Sequence, residues 1–95
     1  MSWVRIWVHM VFSTKNKVPF LHQKIRKHVI QHIRQNAETI GIWLDSVNGY
    51  VDHVHCLISL NKDQTISKVA QLIKGESSFW INRYNLTNSK FAWQG

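Results

Sequence analysis

The first part of the chain alternates apolar and polar positions with a period of two. Between Trp3 and Thr14 one parity carries only apolar residues, Val4, Ile6, Val8, Met10 and Phe12, and the other carries Arg5, Trp7, His9 and Ser13. Successive side chains of a strand point to opposite faces, so this pattern predicts a half-buried strand. The polar segment 15–19 that follows contains Pro19, which cannot donate to a sheet ladder, and it is predicted to be a loop.

Two later stretches repeat their apolar residues every three or four positions, as amphipathic helices do. The first stretch is residues 22–39, and its apolar stripe, which extends to the next residue, contains Ile25, Val29, Ile30, Ile33, Ala37 and Ile40. Gly41 then supplies a C-terminal stop. The second stretch starts after Thr65, a suitable N-cap, and its stripe contains Ile66, Val69, Ala70, Ile73, Ser77, Trp80, Ile81 and Tyr84. Membership of the stripe predicts that Trp80 packs in the core and that Tyr84 packs there with its hydroxyl exposed at the edge.

Residues 42–48 and 53–60 are predicted to be two strands joined near Asn48-Gly49, a pair common in hairpin turns. The order is therefore β-α-β-β-α. Two helices of this kind can cover one face of an antiparallel sheet, which predicts a single α+β domain over residues 1–95.

Composition narrows the partners and the compartment. Twelve Lys and Arg against five Asp and Glu give a formal charge of +7, which favours nucleic acid, although many small proteins are basic without such a partner. The single cysteine, Cys56, cannot form an internal disulfide, which indicates a reducing compartment. No apolar run is long enough for a membrane span, and Arg5 and His9 interrupt the apolar N-terminus. We therefore expect a cytoplasmic protein with no membrane partner.

The run GYVDHVHCLISL places His53 and His55 two positions apart on a predicted strand. They share one face, with Cα atoms about 6.5–7 Å apart, while Val54 and Cys56 face the core. Two imidazoles so placed can bind one cation, but two histidines on the solvent side of a strand are also chemically ordinary. Two ligands make an incomplete site, so a third must be a carboxylate, an amide, water or substrate. Two imidazoles by themselves suit Mn²⁺, Zn²⁺ or Ni²⁺ better than Mg²⁺.

His53-Val54-His55 resembles the HUH motif, two histidines around a bulky hydrophobic residue. The closest likeness is to the single-tyrosine HUH transposases of the insertion-sequence 200/605 type and their REP-associated relatives. The likeness extends over essentially the whole chain, in segments 9–15, 47–55, 66–78 and 91–94. It implies the ferredoxin-like or RRM-like fold of that family.

The resemblance also implies a chemistry: cleavage and rejoining of single-stranded DNA through a 5′-phosphotyrosine. It implies Mg²⁺ or Mn²⁺ at His53 and His55, with phosphate and water oxygens completing the shell. The implied partners are single-stranded DNA, as hairpin ends of a mobile element, and a second copy of the chain in a homodimer.

The sequence departs from that family at the nucleophile. The family's tyrosine lies on a helix beyond the segment that resembles residues 91–94, so we expect this chain to be truncated before that helix. A gene remnant, an expression fragment and a divergent DNA-binding protein all remain open. The two tyrosines present are poor substitutes, because Tyr84 belongs to a helical stripe and Tyr50 to the hairpin. We predict that the polypeptide alone does not cleave DNA.

The lysines expected to contact DNA phosphates are Lys15, Lys17, Lys68 and Lys74. Four tryptophans, Trp3, Trp7, Trp43 and Trp93, are compatible with base stacking, a dimer contact or the core. His9 shares a strand face with Trp7 and is a candidate neighbour of the metal. The alternative function is a non-catalytic, RRM-like nucleic-acid-binding module with structural histidines, although His53 and His55 do not supply the aromatic pattern of such modules.

Overall fold

The computed structural model describes residues 5–95 and contains three strands and two long helices in this part of the chain. The elements are β1 (Ile6–Ser13), a 3₁₀ turn (Lys15–Lys17), α1 (Gln23–Thr39), β2 (Trp43–Gly49), β3 (His53–Leu60) and α2 (Ile66–Arg83). The predicted order β-α-β-β-α and the α+β class are confirmed. Trp3 and Val4, at the start of the predicted first strand, lie outside the described residues.

The strands form one antiparallel sheet in the order β1-β3-β2, so the strand with the histidine pair is central. Most of its residues have a cross-strand partner on each side: His55 pairs with Val11 of β1 and with Asn48 of β2. Side chains of one parity along these strands face the helices. Those of the other parity form a second surface, called here the open face.

The core lies between the sheet and the two helices. β3 contributes the completely buried Val54, Cys56 and Ile58, as its alternation predicts. α1 packs mainly against β2, and α2 contacts both α1 and β1. Each helix buries one stripe of the predicted sets: Val29, Ile33 and Ala37 in α1, and Val69, Ile73, Ser77 and Ile81 in α2.

The residues predicted to start α2 and to end α1 adopt the expected capping geometry. Thr65 Oγ1 accepts a hydrogen bond from the Lys68 amide at 3.1 Å, which confirms the N-cap of α2. Gly41 adopts a φ of 78°, the left-handed conformation that commonly ends a helix.

Tyr84 corrects the predicted stripe. It is the C-cap of α2, and its side chain is 60 % exposed. The helical period does place it in line with Ile81, but the helix ends there and no element covers the last position. Trp80 is half-buried against the core, and its ring stacks on His32 with centroids 4.0 Å apart.

The hairpin between β2 and β3 also differs from the prediction. Gly49 is still in the ladder, paired with Val54, and the turn occupies residues 50–52. The glycine is needed for a different reason: a Cβ at this position would lie 2.6 Å from the carbonyl oxygen of His53. Farther along β2, the register shifts between Leu44 and Ser46, and this bulge returns Val47 to the core face.

The segment after α2 packs back on the sheet. Its Phe91 and Trp93 are buried, and the Trp93 indole Nε1–H donates to Ser77 Oγ at 2.9 Å. The Gln94 amide donates to the Ser13 carbonyl at 2.7 Å, and the Lys15 amide donates to the Ala92 carbonyl at 2.9 Å. The end of the chain therefore lies along the outer edge of β1, and Trp93 is a core residue.

Candidate metal and nucleic-acid site

His53 and His55 lie on the open face of the central strand. Their ring centroids are 6.3 Å apart, and the ring planes are inclined by 33°. Both side chains are half-buried, whereas Val54 between them is fully buried in the core. The shared face predicted from the alternation is therefore confirmed, and both rings have access to solvent.

Asp52 orients the first of the two rings. Its Oδ1 lies 2.9 Å from His53 Nδ1, so this nitrogen carries the proton and donates to the carboxylate. The lone pair of the neutral ring is then on Nε2. A carboxylate that holds the remote nitrogen of a histidine is the usual support of a metal-binding imidazole, because it fixes the tautomer and the ring orientation.

A third imidazole stands beside the pair. His9 of β1 meets His55 edge to face, with ring centroids 5.4 Å apart. It reaches this position because its neighbour Val11 is the cross-strand partner of His55. His9 is thus a neighbour of the histidine pair, a position that depends on the sheet order as well as on the face that it shares with Trp7.

The protein ligands at this site are few. Within residues 5–95 the structure brings together no group of three or more His, Cys, Asp and Glu side chains that could hold a metal ion. Asn48, the partner of His55 on β2, already accepts the Gly49 amide with its Oδ1 at 2.8 Å. A cation here would have two imidazole ligands from the described residues, and water or phosphate oxygens would have to complete its shell.

Tyr50 is the tyrosine closest to the pair. Its ring centroid is 5.0 Å from that of His53, and its amide donates to the His53 carbonyl at 2.8 Å within the turn. The side chain is exposed. Tyr84 lies at the end of α2, in the helical layer behind the sheet.

The four predicted DNA-binding lysines do not form one cluster. Lys15 and Lys17 lie in the turn directly after Ser13, the cross-strand partner of His53. Lys74 reaches the same end, where its Nζ donates to the Gln94 carbonyl at 2.7 Å. Lys68 lies in the first turn of α2, which follows the opposite end of β3 from His53.

Two of the tryptophans whose place the sequence left open also lie on the open face. Trp7 and Trp43 are both cross-strand partners of Ser59, one on each side of β3. No periodicity within a single strand indicates this pairing, because it depends on the register of three strands.

The comparison with known families decides the family of the chain. A family model described as "Transposase IS200 like" matches residues 2–95. The chain belongs to the IS200-like transposase family. This membership agrees with the resemblance seen in the HUH-like motif, and it makes the chain a transposase-like protein.

A solved structure shows the fold of this IS200-like chain in another protein. It is the crystal structure of a transposase candidate from Deinococcus radiodurans R1, with a TM-score of 0.77 and 17 % sequence identity. The similarity covers all of this chain and 80 % of that one. No curated protein matches the sequence. Neither helix of the described part combines the length and the apolar character needed to cross a bilayer.

Proposed function

We propose that this IS200-like protein binds single-stranded DNA with a phosphate over His53 and His55, through a divalent cation held by both imidazoles. The observation that supports the proposal is the pair of rings on the open face of the central strand, with one ring already oriented by Asp52. The resemblance implies Mg²⁺ or Mn²⁺ as this cation, with water and phosphate oxygens completing its shell.

A bound cation of this kind polarises a phosphodiester oxygen and offsets the charge that develops on it. The chain's own residues supply the binding and the orientation. His53 and His55 present ring nitrogens, Asp52 holds the tautomer of His53, and His9 limits the rotation of the His55 ring by edge-to-face contact. The buried Val54 keeps the backbone between the two ligands in place.

The lysines at the same end of the sheet favour a polyanion there. Lys15 and Lys17 follow Ser13, which is level with His53, and Lys74 lies nearby through its bond to the Gln94 carbonyl. Lys68 would contact a different part of the DNA. The proposed partners are hairpin ends of a mobile element, and a second copy of the chain in a homodimer.

Strand cleavage through a 5′-phosphotyrosine is the chemistry that the resemblance implies, and we expect the chain by itself not to perform it. Residues 5–95 contain no helix after α2, and Tyr50 is the one tyrosine beside the histidines in this part of the chain. The protein is incubated with single-stranded hairpin oligonucleotides and Mn²⁺, and a covalent adduct is sought on a denaturing gel. An adduct would overturn the expectation, and its loss in Tyr50→Phe would then identify the nucleophile.

The metal proposal is tested by Mn²⁺ binding to the double variant His53→Ala/His55→Ala. The matched control is His22→Ala/His28→Ala, which removes two exposed histidines at and near the start of α1. Calorimetry should show Mn²⁺ binding lost in the first variant and unchanged in the second, with similar melting temperatures. Unchanged Mn²⁺ affinity in the first variant contradicts the proposal. A large loss of stability without such a change supports a packing role for the rings.

The exposed tryptophans favour a second candidate, an RRM-like module that binds nucleic acid without metal. Trp7 and Trp43 stand on the open face as stacking platforms do. Chelation separates the two functions. The affinity for a hairpin oligonucleotide is measured with EDTA and with Mn²⁺, for the unchanged protein and for the His53→Ala/His55→Ala variant. Equal affinities under all four conditions support the RRM-like module.

A further inference from the structure

The open face has a second group of residues at the end opposite the histidine pair. Trp7 and Trp43 flank Ser59 from the two outer strands and are 54 % and 59 % exposed. Their strands are separated by two inter-strand spacings, about 10 Å. Two indoles exposed to solvent on one face of a sheet form an apolar surface of the kind that marks a binding site.

Arg5 is held over one of these rings. Its Cζ lies 4.9 Å from the centroid of the Trp43 ring, and its Nη1 donates to Ser59 Oγ at 2.9 Å. The contact leaves Ser59 almost completely covered. A guanidinium has five N–H donors, so one bond to a serine leaves most of them for another acceptor.

A cleft of about 490 Å³ opens beside Trp43. Arg5 lines one side, and α1 contributes Arg34 and Glu38. Among the described residues 5–95 the ion pairs are His32–Glu76 and His53–Asp52, so both arginines lack a carboxylate within 4 Å there. A cleft of this size accommodates a small ligand, and its two guanidinium groups against the single Glu38 carboxylate favour an anionic one.

We propose that this cleft binds one nucleotide of single-stranded DNA, with the base on the Trp43 ring and the phosphate on Arg5 and Arg34. The inference rests on the proposed function and adds a second contact point for the same strand. Aromatic faces accept any base, and arginine matches the geometry of phosphate oxygens. A net charge of +7 favours the polyanion over an acidic peptide of low charge density.

The separation of the two ends sets a length requirement. Ser59 follows His55 by four residues and His53 by six, which corresponds to about 14 and 20 Å along β3. A stacked strand advances about 3.4 Å per nucleotide, so roughly four to six nucleotides connect the cleft to the histidine pair. A trinucleotide is too short to occupy both, whereas an octanucleotide can.

The test compares the affinities of a thymidylate octamer and a thymidylate trimer by fluorescence anisotropy at one salt concentration. The variants are Trp43→Ala and Arg34→Ala. The controls are Phe79→Ala, which removes a 64 % exposed ring on α2, and Arg83→Ala, which removes the same charge from an exposed position. Melting temperatures of all four variants verify that they fold.

Trp43→Ala should bind the octamer about 5- to 150-fold more weakly, the range for removal of one base–aromatic stack. Arg34→Ala should lose more affinity than Arg83→Ala, and both controls should bind the octamer within about twofold of the unchanged protein. The unchanged protein should also show quenching of tryptophan fluorescence by the octamer, and the quenching should be smaller in Trp43→Ala.

Equal affinities of the Trp43 and Phe79 variants, and of the Arg34 and Arg83 variants, would overturn the inference while DNA binding stands. Thymidine monophosphate that binds as tightly as the octamer would also overturn it, since the cleft would then be a site for a free nucleotide. An octamer that does not bind the unchanged protein would reject the proposed function itself.

Discussion

The buried hydrogen bond between Trp93 and Ser77 should make Ser77 a measurable contributor to the stability of the fold. The indole Nε1–H donates to Ser77 Oγ at 2.9 Å, and the same hydroxyl donates to the Ile73 carbonyl at 2.6 Å. Both side chains are buried. Ser77→Ala removes the acceptor and leaves the indole N–H without a partner in the core.

An unsatisfied buried donor costs about 1–3 kcal/mol. In a domain of this size each kcal/mol lowers the melting temperature by about 4–8 °C. Urea denaturation followed by circular dichroism should therefore show a lower midpoint for Ser77→Ala. The matched control is Ser78→Ala, whose hydroxyl donates only to the Gly75 carbonyl of its own helix, at 3.3 Å, and it should change stability by less than about 0.5 kcal/mol.

A double-mutant cycle separates the hydrogen bond from the packing around it. Trp93→Phe removes the donor and keeps an aromatic ring, so Ser77→Ala should cost less in that background than alone. Additive losses would refute the reasoning, because they would show that the indole N–H does not depend on Ser77. Equal losses for Ser77→Ala and Ser78→Ala would refute it as well.

The other predictions concern three further parts of the molecule. Burial raises the pKa of the Cys56 thiol from 9.0 to about 12, against an opposing effect of the Arg34 charge. The thiol should therefore resist a disulfide reagent at pH 8 until urea unfolds the chain, and rapid reaction of the folded protein would contradict its burial. Because the unfolded thiol loses its proton at lower pH than the folded one, the free energy of unfolding should fall as pH rises from about 9 towards 12. Gly49→Ala should destabilise the protein by about 1–3 kcal/mol, because its Cβ would lie 2.6 Å from the His53 carbonyl oxygen. Gly75→Ala, with open space in a helix, should instead stabilise it by about 0.5–1 kcal/mol, and urea midpoints that shift in the same direction for both variants would be inconsistent with this geometry. Lys15→Ala/Lys17→Ala should lower the slope of log affinity against log salt for single-stranded DNA by about 1.4, compared with Lys24→Ala/Lys27→Ala on α1, and identical slopes would remove the two lysines from the interface.

Local pattern in the sequence determined most elements and the face that the histidine pair occupies. β3 has the predicted bounds of 53–60, and α2 begins after the predicted N-cap Thr65. Both results follow from periodicities of two and 3.6 residues, which are properties of single elements. Two residues in the same strand at i and i+2 share a face whatever the rest of the chain does, so His53 and His55 could be paired without a structure.

Only the tertiary structure decided what surrounds that pair. The strand order places β3 in the centre, and this brings His9 next to His55. The same pairing sets Ser13 opposite His53, so the turn with Lys15 and Lys17 lies at the histidine end of the sheet. The same order places Trp7 and Trp43 on either side of Ser59. The pairing of β1 with β3 joins residues 40 (Ser13 and His53) to 54 (Ile6 and Leu60) positions apart, and no local periodicity contains that register.

The sequence alone also did not determine which apolar side chains are buried by other elements. Tyr84 continues an apolar stripe yet is exposed, because α2 ends beside it, while Trp93 follows no pattern and is buried by the return of its segment to β1. Whether an apolar side chain is buried depends on which distant element lies over it. Periodicity along one helix or strand predicts the direction in which a residue points, and only the packing of the whole domain determines what it meets there.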